Sequence, residues 1–176
     1  NYFDFHEDWD RIRVKHSATN SLTNDFTMAT WLNFDTLSTT TPNGGHITPF
    51  AKNSQNYRCF YTTSTNTLYF RLNIGGSSVD LPYSNTGLFS AGEWHHFAFI
   101  KSSTEGMKIY VDGNVIASNS TTGAVTANTD DWIFGNWDYT GGRFFDGKMG
   151  NFALYNTALS AKQVKYVYNS LKHRFV

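Results

Sequence analysis

Apolar and polar residues alternate with a period of two through most of this chain, the mark of β-strands whose side chains point to opposite faces. The run 26–34 shows it best. Phe26, Met28, Thr30, Leu32 and Phe34 share one face, while Thr27, Ala29, Trp31 and Asn33 share the other. Both faces carry large apolar groups, which suits a strand in the middle of a layered sandwich. The same alternation predicts further strands over about 10–15, 46–52, 57–63, 67–74, 77–81, 94–101, 107–112, 114–118, 131–136 and 148–156. Turn residues punctuate them at Pro42-Asn43-Gly44-Gly45, Gly75-Gly76, Ala91-Gly92 and Gly141-Gly142. Asp112-Gly113 is the sharpest signal, because a two-residue Asp-Gly loop favours the type I′ hairpin whose twist matches that of paired strands.

Helical periodicity occurs once. Ser160 with Gln163 three residues on forms a capping box, and Val164, Val167, Tyr168 and Leu171 then recur at i, i+3, i+4 and i+7. This predicts a lone amphipathic helix docked on a sheet edge or face. No internal repeat or linker interrupts the pattern, so residues 1–176 read as one domain. The expected fold is all-β: a two-sheet antiparallel β-sandwich with one short C-terminal helix.

Composition narrows the function. The chain has 14 basic and 14 acidic residues and is only 16% charged, so it lacks the basic stripe of a nucleic-acid binder. A strongly anionic polymer is a poor ligand for the same reason. No stretch approaches the roughly 18 apolar residues of a membrane span, and no signal-peptide core is visible, so membrane insertion is not expected. The sequon Asn119-Ser120-Thr121 is compatible with a secretory route. Cys59, the single cysteine, lies in an apolar-aromatic run and reads as a small buried hydrophobe.

The ordered motifs carry a resemblance. Gly92-Glu93-Trp94-His95-His96-Phe97-Ala98 is followed by Met107-Lys108-Ile109-Tyr110-Val111-Asp112-Gly113. Then come Phe145-Asp146-Gly147-Lys148-Met149 and Leu154-Tyr155-Asn156-Thr157-Ala158-Leu159-Ser160. Asp25-Phe26-Thr27-Met28-Ala29-Thr30-Trp31-Leu32 precedes them. In order and spacing this set resembles the laminin-G-like jelly rolls of the concanavalin A-like lectin and glucanase superfamily. The resemblance implies a double-sheet jelly roll, recognition of sugars or protein surfaces, and often one bound calcium.

That implied calcium meets a departure. Where the family places an acid in its closing strand, this chain has Gly150 and Asn151. Asp10, Asp112, Asp138 and Asp146 remain possible donors, Asp112 being equally explained by its turn. Asp10, Asp146 and Asn151 are the candidate metal set for a weakened site.

Catalysis lacks its parts. The chain has three Glu, at 7, 93 and 105, and none falls in the paired-carboxylate spacing a glucanase needs. The alginate-lyase elements of related jelly rolls are absent. Neighbouring strand residues face opposite ways, so His95 and His96 cannot jointly hold a metal; one is expected inward and the other outward. The reading is therefore not an enzyme but a binding module, for a glycan or surface protein, working at an extracellular, cell or virion surface and gaining strength through multivalent display or a larger assembly. The rival readings are a structural or adhesive component of a virion or fibre and a degenerate polysaccharide hydrolase or lyase. The candidate ligand loop is 136–143. Trp137 and Tyr139 could stack on a sugar face, while Asn136, Asp138 and Arg143 could bond its hydroxyls. The loop Asn43-Gly44-Gly45-His46 and the segment Asn53–Tyr57 are expected near the same rim.

Overall fold

A computed structural model describes residues 1–6, 10–37, 45–52, 56–137 and 143–176. Twelve strands and one α-helix are present among them. The strands run β1 (Phe3–Phe5), β2 (Ile12–Val14), β3 (Phe26–Phe34), β4 (His46–Lys52), β5 (Tyr57–Thr62) and β6 (Thr67–Ile74). The chain continues through β7 (Ser77–Ser84), β8 (Trp94–Ser102), β9 (Gly106–Val111), β10 (Asn114–Asn119), β11 (Trp132–Phe134) and β12 (Gly147–Tyr155), then α1 (Ala161–Leu171). They form two six-stranded sheets, ordered β1-β12-β3-β8-β9-β10 and β2-β11-β4-β5-β6-β7. Every strand pairing is antiparallel. This is the two-sheet antiparallel β-sandwich, or jelly roll, that the resemblance implied; alternation and turns alone left a sandwich or a barrel open.

The core fills the space between the sheets and is dominated by rings. Phe26, Phe34, Phe50, Tyr57, Tyr61, Phe70, Phe97 and Phe99 are all buried there. Tilted and edge-on pairs such as Phe50–Phe99, with centroids 5.6 Å apart at 73°, let flat groups interlock without voids. Cys59 is fully buried in this core, and burial drives its thiol pKa upward. Lying on the inward face of β5, it is a packing residue, as expected.

The helix docks on the outer face of the first sheet. Ser160 Oγ accepts from the Gln163 N–H and the Gln163 side chain returns to Ser160, completing the capping box. Val164 buries against Ala29, Ala98, Ile100, Tyr110 and Leu159. Trp31 is roofed by Phe175, at 4.7 Å and 15°, and by Tyr168, at 5.7 Å and 24°. The outward face of β3 is thus apolar because a second, smaller core lies beneath the helix. That second core also changes the histidine expectation. His95 points toward Phe89 at the rim of the main core, whereas His96 faces outward from the sheet yet is buried under Trp31 and Tyr168.

The Asp112-Gly113 turn adopts positive φ at both residues, 51° and 78°, as a type I′ hairpin requires. The Asp112 side chain does more. Its Oδ1 accepts from the His96 N–H at 2.9 Å and its Oδ2 meets His95 Nδ1 at 2.8 Å. The turn acid therefore clamps β8 to the β9–β10 hairpin.

Candidate functional site

In β5, Tyr57, Cys59 and Tyr61 point into the core, so Arg58 and Phe60 must point outward. In β6, Leu68, Phe70 and Leu72 point inward and Tyr69 and Arg71 outward. Register then sets Arg58 opposite Arg71, Phe60 opposite Tyr69, and Arg71 opposite Asp80 of β7. Two arginines consequently sit side by side on the outer face of the second sheet, next to a stacked ring pair. Phe60 and Tyr69 are 4.7 Å apart and nearly parallel, at 3°.

The loop after β11 folds onto this face. It leaves through Gly135, whose N–H donates to the Pro49 carbonyl and whose carbonyl accepts from the Phe145 N–H, both at 2.8 Å. Gly135 has φ +85°, and an added Cβ would overlap the Phe5 ring and the Asp10 carbonyl, so no larger residue fits. Asn136 follows, fully buried, with Oδ1 accepting from the Trp137 N–H at 2.6 Å. On the return, Phe144 and Phe145 are buried anchors. Between these fixed points Trp137 and Arg143 project over the sheet. The Arg58 guanidinium lies 4.0 Å from the Trp137 ring centroid and 4.2 Å from that of Phe60, and Arg143 lies 3.9 Å from Trp137. Arg71 is 5.0 Å from Phe60, and His46 of β4 is 5.8 Å from the same ring.

Charge compensation here is uneven. Asp80 takes Arg71 in a two-point grip of 2.6 and 2.7 Å. Among the described residues no carboxylate pairs with Arg58 or Arg143. Arg58 is 3% exposed, donates to Thr48 Oγ1 at 3.1 Å, and leaves its Nε without an acceptor; the Trp137 Nε1 is likewise buried without one. Burial, reinforced by Arg143 and Arg71, pulls the Arg58 pKa down to about 9. His46 is lowered by burial and by the same three arginines. The site is a cationic, ring-lined patch with donor hydrogens in surplus.

Of the sequence candidates, Trp137 and Arg143 come together here. Asn136 lies in the same loop but is buried as a support for its backbone. Asp138 and Tyr139 lie outside the described residues, as do 43–44 and 53–55, while His46 joins the patch. Arg58, Phe60, Tyr69 and Arg71 were missed. Their signal was present: outward parity in two strands whose four-residue connection pairs residues 58 and 71.

The metal candidates do not gather. Asp10 Oδ2 accepts from the His6 N–H at 3.0 Å, and Asp146 lies 3.6 Å from His6 Nδ1. Asn151 sits in left-handed conformation, φ 50°, near the shift of register in β12, beside an apolar groove of about 440 Å³ lined by Phe3, Val14 and Phe152. Five strand steps at roughly 3.3 Å separate it from Asp146 by about 15 Å, too far to share one ion. Asp4, His6 and Asp35 do lie within 4.8 Å of one another. The Lys148 ammonium already occupies that cluster, 2.9 Å from Asp35 and 3.9 Å from Asp4. These residues do not fit a calcium ion, which wants six to eight oxygens free of a competing cation.

A family model described as the concanavalin A-like lectin/glucanases superfamily matches residues 9–165. Among curated proteins, none matches by sequence. Several solved structures share the fold at low identity. The binding domain of Paraclostridial Mosquitocidal Protein 1 superposes with TM-score 0.76 at 18% identity, over 95% of this chain and 42% of its own. The ligand-binding domain of botulinum neurotoxin serotype D, solved with N-acetylneuraminic acid, gives 0.76 at 15%, over 97% and 42%. The binding domain of botulinum neurotoxin DC, in complex with rat synaptotagmin II, gives 0.68 at 16%, over 92% and 40%. The chain thus spans under half the length of these structures, and the likeness is one of fold.

Proposed function

Since the chain belongs to the concanavalin A-like lectin/glucanase superfamily, whose sandwiches host both grips and blades, we propose that it is a non-catalytic module that binds glycans on surfaces outside the cytoplasm. The observation that carries this reading is the Trp137 loop laid across Arg58 and Arg143 on a rigid sheet. The partly exposed edge of Trp137 offers a sugar an apolar contact while the Arg143 guanidinium beside it donates to the sugar's oxygens. The structures sharing the fold are titled as binding domains, one with N-acetylneuraminic acid and one with a protein receptor, which favours capture over turnover.

The acids support the same view. Glu105 is held by Lys108 at 2.9 Å, Glu93 lies 3.6 Å from His95, and Asp4 and Asp35 share Lys148. Each of these acids lies beside a basic side chain, a neutralised setting that supports a binding role over the acid and nucleophile pair of a glycosidase. A shallow site of this kind binds at about mM to μM, or about −4 to −8 kcal/mol, and gains strength when displayed in several copies.

A glycan screen with the purified chain, run beside size measurement of its assemblies, tests the reading. Binding that Trp137→Ala abolishes while the domain stays folded is the expected result. A chain that assembles but binds no glycan would replace it with the structural role.

A further inference from the structure

We infer that the Arg58–Trp137–Arg143 patch is a subsite for an acidic sugar, a pyranose ring carrying a carboxylate; this rests on the glycan-binding reading and names its ligand class. Three of the six arginines in the chain converge on one sheet face, and only Arg71 has a carboxylate partner among the described residues. Arg58 is buried with an unused Nε donor, and Trp137 has an unused indole N–H in the same stack. A buried donor without an acceptor is costly, so the cluster holds uncompensated positive charge that a carboxylate docked on the partly exposed Arg143 would balance.

The surroundings select the rest of the ligand. Trp137 and Arg143 are partly exposed, so an arriving sugar meets them first. Trp137, its faces taken by Arg58 and Arg143, offers its exposed edge as an apolar contact. Arg143 offers the direct ion pair, and Arg58 beneath adds positive potential in a poorly solvated setting, where it acts more strongly than in water. Thr62, half-buried on the same strand face, offers a neutral hydroxyl.

The experiment titrates N-acetylneuraminic acid and glucuronic acid into ¹⁵N-labelled chain and follows the Trp137 indole resonance. N-acetylmannosamine and glucose serve as their neutral counterparts. Expected is saturable binding of at least one acid, tenfold or more tighter than its neutral counterpart, with the Trp137 indole shifting. Arg143→Gln should weaken it tenfold or more, and Arg174→Gln, removing the same charge at the C-terminus, should leave it unchanged. If Arg143→Gln lowers the melting midpoint, the methyl ester of the acid sugar tests the same charge on the unaltered chain, again with tenfold loss expected. Equal affinity for acid and neutral sugars, or full affinity in Arg143→Gln, would overturn the inference and leave the module reading standing. Failure of every glycan, acidic or neutral, would remove both.

Discussion

Arg58→Met should make the protein more stable while removing its grip on acidic ligands. The Arg58 guanidinium is 3% exposed, and its pKa falls to about 9 from the ordinary 12.5. That difference, at about 1.4 kcal/mol per unit, is a penalty of roughly 5 kcal/mol for holding the charge at neutral pH. The sign follows from linkage. A base with a depressed folded pKa carries the full penalty below pH 9 and is relieved only as pH climbs from there toward 12.5. Opposing it are two ring contacts, with Phe60 and Trp137, at about 1–2 kcal/mol each when desolvated. The bond to Thr48 adds about 1 kcal/mol. The balance leaves Arg58 a net burden of up to about 2 kcal/mol, which methionine, flexible and apolar, would lift while filling the same space. Urea unfolding at pH 7 should show that gain in free energy, and a melting midpoint higher by up to about 8 °C for a chain of this size. A destabilised Arg58→Met would refute the reasoning, since it would mean that the ring contacts outweigh the buried charge. A stabilised variant that still binds acid sugars at full affinity would instead remove Arg58 from the site.

Other predictions concern the core and the rim. Burial lowers the His96 pKa to about 4; a buried neutral histidine loses stability as pH falls from 6.5 toward 4, here by roughly 3 kcal/mol, so urea midpoints should drop across that window and His96→Leu should flatten the slope. His95, raised by Asp112 and Glu93 against the larger opposing effect of its burial, changes stability only above pH 6.5, and Asp112, lowered by His95 and the His96 N–H despite burial, only below 3.8. Cys59 should resist a thiol reagent in the native protein and react at the rate of unfolding, because it is fully buried with a raised pKa; rapid native labelling would contradict its place in the core. Calcium should leave the melting midpoint where chelator leaves it, since Lys148 already neutralises the tight acidic cluster found among the described residues; a calcium-dependent rise would show that the ion displaces Lys148.

Much of this architecture was readable in advance. Strands β3, β4 and β6 fall where alternation put them, to the residue, and the capping box starts α1 as its side chains dictate. Strand β1 escaped because three residues, Phe-Asp-Phe, give too short a period to recognise. For His95 and His96, parity indicated that one faces outward, but not that the outward one, His96, would be covered by Trp31 and Tyr168. In the binding loop, Trp137 and Arg143 could be suspected from residue type alone, whereas Asn136 looked like a ligand group and is a buried brace.

The dividing line has a physical origin. Alternation, turn residues and caps are local: they depend on bonds and neighbours a few positions apart, so the chain specifies its strands, its hairpin at Asp112-Gly113 and its helix without reference to anything distant. The cationic patch is not local. Residues 58, 71 and 143 become neighbours only after hairpin register sets two arginines abreast and a distant loop, pinned by Gly135 and Phe145, lays an indole between them. A balanced count of charges says nothing of this, because a sum over the chain discards position, and position is what folding supplies.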